Sequence, residues 1–114
     1  MDFDFDLIVR SLPLLLAGAG ITVQITAMSV GMGLLIGMFA GIARLSSKWP
    51  IRTVAAIYID FIRGTPLLVQ IFIIYFAMPI VLGTRIDPFV AAVTACSINS
   101  GAYVAEIFRS GIQS

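Results

Sequence analysis

Residues 58–76 read YIDFIRGTPLLVQIFIIYF, and the fold turns on how the chain passes from the first half of this stretch to the second. Arg63, Gly64, Thr65 and Pro66 stand at the threshold of a long apolar run, with Asp60 three residues before the Arg. Pro66 has no N–H to give a helix, and its ring disfavours helical backbone at Thr65, so a helix must start or kink here. In one reading Thr65 is an N-cap and Pro66 the first helical residue of a membrane helix over about 65–82, roughly 17 residues or 25 Å, just long enough to cross. In the other, a longer helix starts near Ile51 and is kinked at 64–66, with Asp60 and Arg63 one turn apart near the water interface. The first is preferred.

Outward from this threshold the chain stays apolar. Of its 114 residues 60% are hydrophobic and 11% charged, against roughly a quarter charged in a soluble domain. Charge-free runs lie between Arg10 and Arg44, between Arg63 and Arg85, and between Asp87 and Glu106. Runs of about 18 residues or more are candidate membrane helices. They lack the alternation of barrel strands, and an open sheet does not survive in lipid. The expected fold is all-α and integral to the membrane, with three transmembrane helices at about 20–43, 65–82 and 88–106. Three helices bury little of one another, and the single Cys96 offers no disulfide framework, so the chain reads as part of something larger.

Charge placement gives an orientation. Arg44, Lys48, Arg52 and Arg63 cluster between the first two spans, whereas the N-terminus carries Asp2, Asp4 and Asp6 against Arg10, and the second connection has Arg85 with Asp87. By the positive-inside rule the first connection is cytoplasmic, the N-terminus outside and the C-terminus inside. The acidic start and long apolar run make a poor signal peptide, with Ala17-Gly18-Ala19 only weakly like a cleavage site. Residues 1–18, with Pro13 available as a first helical residue, read as a segment in the outer interface.

Small and hydroxyl residues recur on one face of the first span: Thr22, Thr26, Ser29, Gly33, Gly37 and Gly41. Such a stripe lets another helix approach closely, because no side chain holds the backbones apart. A polar path along Thr22, Gln24 and Thr26 is the less favoured alternative. Residues 43–52 carry Ser46, Ser47 and Pro50 as breakers and Trp49 as an interfacial residue, a short cytoplasmic turn. Residues 53–63 suit either an amphipathic interfacial helix or the entry to the second span. Within that span, Gln70 is placed to satisfy the carbonyl freed by Pro66 or to face a translocation path.

Pro79, Gly83 and Pro88 surround a short outer turn, and Asp87-Pro88 has the form of an N-cap and first residue for the third span. On that helix Ser97, Gly101 and Ala105 form a second small-residue seam, while Asn99, Tyr103 and Glu106 share another face. Glu106 and Arg109 are one turn apart, to pair with each other or to meet a cytoplasmic partner or inner gate.

The chemistry of enzymes is missing. The sequence has no His and no Gly-rich phosphate-binding loop, so no catalytic triad, metal site or ATP cradle is expected, and the chain binds no cofactor itself. A net charge of +1, from basic residues that adjoin membrane spans, argues against nucleic acid as a partner.

Four segments resemble the polar amino-acid permease family of bacterial ABC importers: Gly20-x-Thr22, Ala43-Arg44-x-Ser46, Tyr58-x-Asp60-x-x-Arg63-Gly64-Thr65-Pro66-Leu67-Leu68-Val69-Gln70, and Ala102-Tyr103-x-Ala105-Glu106-Ile107-x-Arg109-x-Gly111-Ile112. The likeness covers nearly the whole chain. It implies a multi-pass subunit of the bacterial cytoplasmic (inner) membrane with the type I ABC importer permease fold. The expected partners are a second permease subunit, alike or sister, an extracytoplasmic solute-binding protein that delivers a polar amino acid, and cytoplasmic ATPase subunits that use ATP and Mg. Family members have five spans and about twice this length, so the chain reads as the N-terminal half, with the Glu-Ala-Ala coupling loop beginning just past Ser114. The resemblance singles out Asp60, Arg63, Gly64, Thr65, Pro66, Gln70, Tyr103, Glu106 and Arg109 as gating or packing candidates. A small membrane protein that self-assembles through its glycine seams is the competing reading.

Overall fold

The computed structural model describes residues 2–113, with side chains from Asp4 to Gln113, so the Asp2 carboxylate used in the charge argument lies outside the described side chains. Helix α1 runs unbroken over Asp2–Arg44, with Pro13 inside it. Pro13 removes one backbone donor but holds a helical φ, and the apolar chain on either side offers no competing turn. At 1.5 Å per residue this helix is about 64 Å long, which sets the 64 Å long axis of the molecule. Residues 2–18 therefore continue the first span as one rod where the sequence suggests a separate interfacial segment over 1–18.

A tight connection leads to α2, Trp49–Arg63, whose Lys48 cap and Pro50 start it and whose Gly64 ends it. Ala55, Ile59 and Ile62 form its buried stripe, so α2 is amphipathic. The chain then bends by 106° into the apolar stretch Leu67–Leu82. That stretch is α-helical over α3, Leu67–Phe72, π-helical over Ile73–Ala77, and α-helical again over α4, Met78–Leu82. The π turn lies just ahead of Pro79, where a donor is missing and the ladder must shift. It carries the helix through Pro79 to Leu82, where the span expected at 65–82 ends. Gly83 then closes the helix with φ +74°, a left-handed conformation that favours Gly.

At the threshold a new helix does begin, but one residue later than expected. Pro66 is the extended cap with ψ 142°, and Leu67 is the first helical residue. Thr65 is not the N-cap. Its hydroxyl instead donates back to the Phe61 carbonyl at 2.7 Å, because Thr65 N has turned to Ile62 O. The hydroxyl finishes α2 rather than starting α3.

Helix α5, Pro88–Gln113, opens where the sequence places a cap: the Asp87 carboxylate accepts from Phe89 N at 3.0 Å and Val90 N at 3.3 Å. It packs parallel to α1 in register, Gly33 against Ser100, Gly37 against Val104 and Gly41 against Phe108. Leu67–Leu82 runs the opposite way, with Gln70 beside Asn99 and Ile73 and Ile74 near Ala95. Two helices are long and apolar enough to cross a membrane, and the bent pair makes a third if counted as one span. The core is made of small residues, Ala55, Ala91, Ala95, Ala102 and Ala105 among them, and Ile59 is its largest fully buried side chain.

Candidate functional site

The bend between α2 and α3 leaves polar backbone inside an apolar environment, where each unpaired group is costly. Gln70 answers this. Its side chain is 6% exposed, and its amide nitrogen donates to Ile62 O and Thr65 O, both at 3.1 Å. Ile62 O is the carbonyl four residues before Pro66, the one that proline leaves without its helical donor. The remaining Gln70 oxygen accepts from Asn99 Nδ2 at 3.3 Å and ties the elbow to α5. Tyr58 adds a second tie, its hydroxyl donating to Ile98 O at 2.6 Å beside Gly101.

One to two turns further along α5 the contacts become ionic. The Arg63 guanidinium lies over the Tyr103 ring at 5.7 Å and reaches Glu106 at 3.9 Å. Glu106 also pairs with Arg109, whose Nε donates to it at 3.2 Å and whose Nη1 donates to Gln113 at 2.7 Å. Asp60 is exposed on α2, and its charge acts on Arg109, as that of Arg44 acts on Glu106. A mixed-charge cluster thus joins the end of α2 to the last turns of α5. Its side chains are partly exposed, Arg63 at 42% and Glu106 and Arg109 at about a quarter, so each pair alone contributes little and the network acts as a positional tie.

The structure brings Asp60, Arg63, Gly64, Thr65, Pro66, Gln70, Tyr103, Glu106 and Arg109 into this one elbow region. The stripe on α1 divides. Ser29, Gly33, Gly37 and Gly41 are buried against α5, whereas Thr22 and Thr26 are exposed and the Thr22 hydroxyl bonds Gly18 O within its own helix at 2.9 Å. On α5, Ser97, Gly101 and Ala105 are buried. Sequence reasoning missed two partners. Asn99 was grouped with Tyr103 and Glu106 but not with Gln70, and Tyr58 was part of the motif without a role. The signal for both is a polar residue on a membrane helix with no neighbour of its own to bond.

A small cavity of about 190 Å³ opens beside the elbow between α1 and α5, lined by Thr26, Ser29, Leu67, Cys96, Asn99 and Ser100 among others. Ser29 Oγ is buried and has no hydrogen-bond partner among the described residues. The described residues hold no cluster of His, Cys, Asp and Glu that could bind a metal.

Residues 33–114 match the family model of the binding-protein-dependent transport system inner membrane component. The chain belongs to this family. Members are permease subunits of ABC transporters, which are not themselves enzymes, since ATP hydrolysis resides in separate subunits. The chain is 47% identical, over its whole length, to the glutamine transport system permease protein GlnP of Escherichia coli K12, of which it covers 52%. It is 42% identical over 98% of its length to the arginine transport system permease protein ArtQ of Bacillus subtilis, covering 51% of that protein. A crystal structure of an amino acid ABC transporter with histidines superposes with a TM-score of 0.88 at 46% identity, over 94% of this chain and 50% of that one. The chain spans about half the length of the curated relatives it matches. Family membership displaces the self-assembling pore, and with it places the chain among inner-membrane components.

Proposed function

We propose that this chain is the N-terminal, membrane-spanning half of a permease subunit in an ATP-driven, binding-protein-dependent importer of polar amino acids. The supporting observation is that relatives matched along nearly the whole chain, at 41–47% identity, are named for transport of glutamine, arginine and cystine. In this reading an extracytoplasmic binding protein delivers the amino acid, a second permease subunit completes the pathway, and two cytoplasmic ATPase subunits supply the energy from ATP and Mg. The basic connection at Arg44, Lys48 and Arg52 supports an orientation with the N-terminus outside.

The elbow supports the reading physically. A simple helical bundle has no need of a 106° break held by a buried amide and a charged cluster. Broken helices in transporters set polar groups at membrane depth where they line a path. Asn99, Ser29 and Thr26 offer such groups beside the break. Alternating access then requires the elbow and α5 to take two arrangements, with the ionic cluster as the contact that changes.

The test is uptake by the complete permease reconstituted with its ATPase and binding protein in sealed vesicles. At least one of labelled glutamine, arginine and cystine should accumulate, only with internal-facing ATP and Mg, and leucine should not. Accumulation of none of the polar amino acids, or accumulation without ATP, would overturn the reading.

A further inference from the structure

Where the end of α2 meets the last turns of α5, four charged side chains are paired unevenly. On α5, Glu106 and Arg109 are one turn apart, and Arg109 takes both carboxylate oxygens, its Nε donating to one at 3.2 Å and its Nη2 to the other. On α2, Asp60 and Arg63 are also one turn apart, and neither is satisfied in this way. Arg63 comes within 3.9 Å of Glu106, near enough to attract it but too far to donate a hydrogen bond, and its guanidinium rests over the Tyr103 ring at 5.7 Å. Asp60 is exposed and makes no ion pair among the described residues, although its charge acts on Arg109. Arg44, at the end of α1, acts on Glu106 in the same long-range way.

We propose that these four groups form a latch with two pairings. In the present one Glu106 holds Arg109 inside α5. In the other Glu106 turns to Arg63 while Arg109 turns to Asp60, so that one bridge within α5 becomes two bridges between α5 and α2. The exchange strands no charge, because two cations face two carboxylates in either pairing, and partly exposed side chains make it by changing rotamers. Exposed ion pairs are individually weak, so neither pairing is locked in and a small bias on α2 shifts the balance. The Tyr58 hydroxyl ties α2 to α5 in both pairings, and the second adds a hold at Arg63, next to Gly64 where the chain bends. The latch therefore sets the freedom of the elbow and leaves the α1 seam alone. Its use in transport rests on the function proposed above, in which the elbow and α5 take two arrangements, whereas the pairing itself can be read without any solute.

The test uses the complete transporter in sealed vesicles. Asp60→Asn separates a latch from a fixed cluster, because Asp60 has no ion pair in the present arrangement. A fixed cluster leaves this variant like wild type. The latch lowers its ATP-dependent uptake per assembled complex about threefold, the weight of one exposed pair, with assembly unchanged and Asp60→Glu restoring the rate. A second arm reads the pairing directly. In Arg109→Lys the new amine keeps the charge, and a carbodiimide joins it to whichever carboxylate it touches, which peptide mass spectrometry then identifies. Coupling to Glu106 is expected from the present arrangement, and the share coupled to Asp60 should differ several-fold between nucleotide-free and vanadate-trapped transporter. Coupling to Glu106 alone in both states, or wild-type uptake in Asp60→Asn, would overturn the proposal. Loss of assembly in Asp60→Asn would also overturn it and give Asp60 a role in folding. If the wild type takes up no polar amino acid, the proposed function fails instead, and the cross-link still reports whether the partners exchange.

Discussion

Helix α5 is gripped on two sides by opposite means. Against α1 the contact consists of what is left out: a Cβ at Gly37 would stand 2.5 Å from Val104, and one at Gly33 2.7 Å from Ser100. Against the elbow the contact consists of what is put in: the Gln70 amide, Asn99, the Tyr58 hydroxyl and the Arg63–Glu106–Arg109 cluster. The first joint is intolerant of volume and indifferent to charge. The second is the reverse, since its bonds can be exchanged for others without moving the packed backbones. Under the proposed function, the first is the joint that stays and the second the joint that changes.

The comparison can be broken most forcefully at the seam. Gly37→Leu places a branched side chain where even a methyl clashes with Val104 and the backbone of Ala105. Overpacking of this kind costs about 1–3 kcal/mol, or more where backbone is the obstacle, so assembled permease measured by size exclusion should fall about tenfold or further. Wild-type yield in that variant would remove the argument for close approach.

The next largest effect belongs to Gln70. Gln70→Leu leaves the Ile62 and Thr65 carbonyls and the Asn99 amide without that partner, at about 1–3 kcal/mol for such buried polar groups. Thermal unfolding in detergent should show the loss, and adding Asn99→Ala to it should cost less than the sum of the two single changes. Strict additivity would mean that the Gln70–Asn99 bond carries no weight.

Smaller still is the ionic cluster. Arg63→Gln should change stability by only about 0.5 kcal/mol, because the group is half-exposed, and any change should shrink as salt is raised. The smallest effect sharpens the contrast within α1 itself. A Cβ at Gly31 meets nothing within 4 Å, so Gly31→Ala should be neutral or stabilising by up to about 1 kcal/mol, against the large loss at Gly37 six residues along the same helix.

The two joints were not equally legible in the sequence. Small residues four apart on residues 29–41 and 97–105 mark faces for close approach, because a missing side chain is visible without knowing its neighbour. Asp87-Pro88 is legible for a similar reason, since a cap and the backbone it serves lie within three residues of each other. The boundary at Pro66 is readable as a change of direction, but the angle of 106° depends on whether a distant group donates to the freed carbonyl, and Gln70 does so only after the chain has turned. Pro13 and Pro79 show the same limit from the other side. Pro13 was a candidate helix start, and the helix runs through it, while at Pro79, inside the expected span, the helix continues only by way of a π turn. Contacts between Gln70 and Asn99 or Tyr58 and Ile98 join positions 29 and 40 residues apart, and only the folded chain brings them together.

The central claim is that the elbow serves transport and the seam serves assembly, and one measurement separates them: ATP-dependent amino-acid uptake divided by the amount of assembled transporter, for Arg63→Gln beside Gly37→Leu. The account predicts that Arg63→Gln assembles within about twofold of wild type, as expected for a weak exposed pair, yet takes up several-fold less per assembled complex. Gly37→Leu should lose assembly while its surviving complexes work. Wild-type uptake per complex in Arg63→Gln, or a loss of assembly equal to that of Gly37→Leu, would contradict the division of labour on which the account rests.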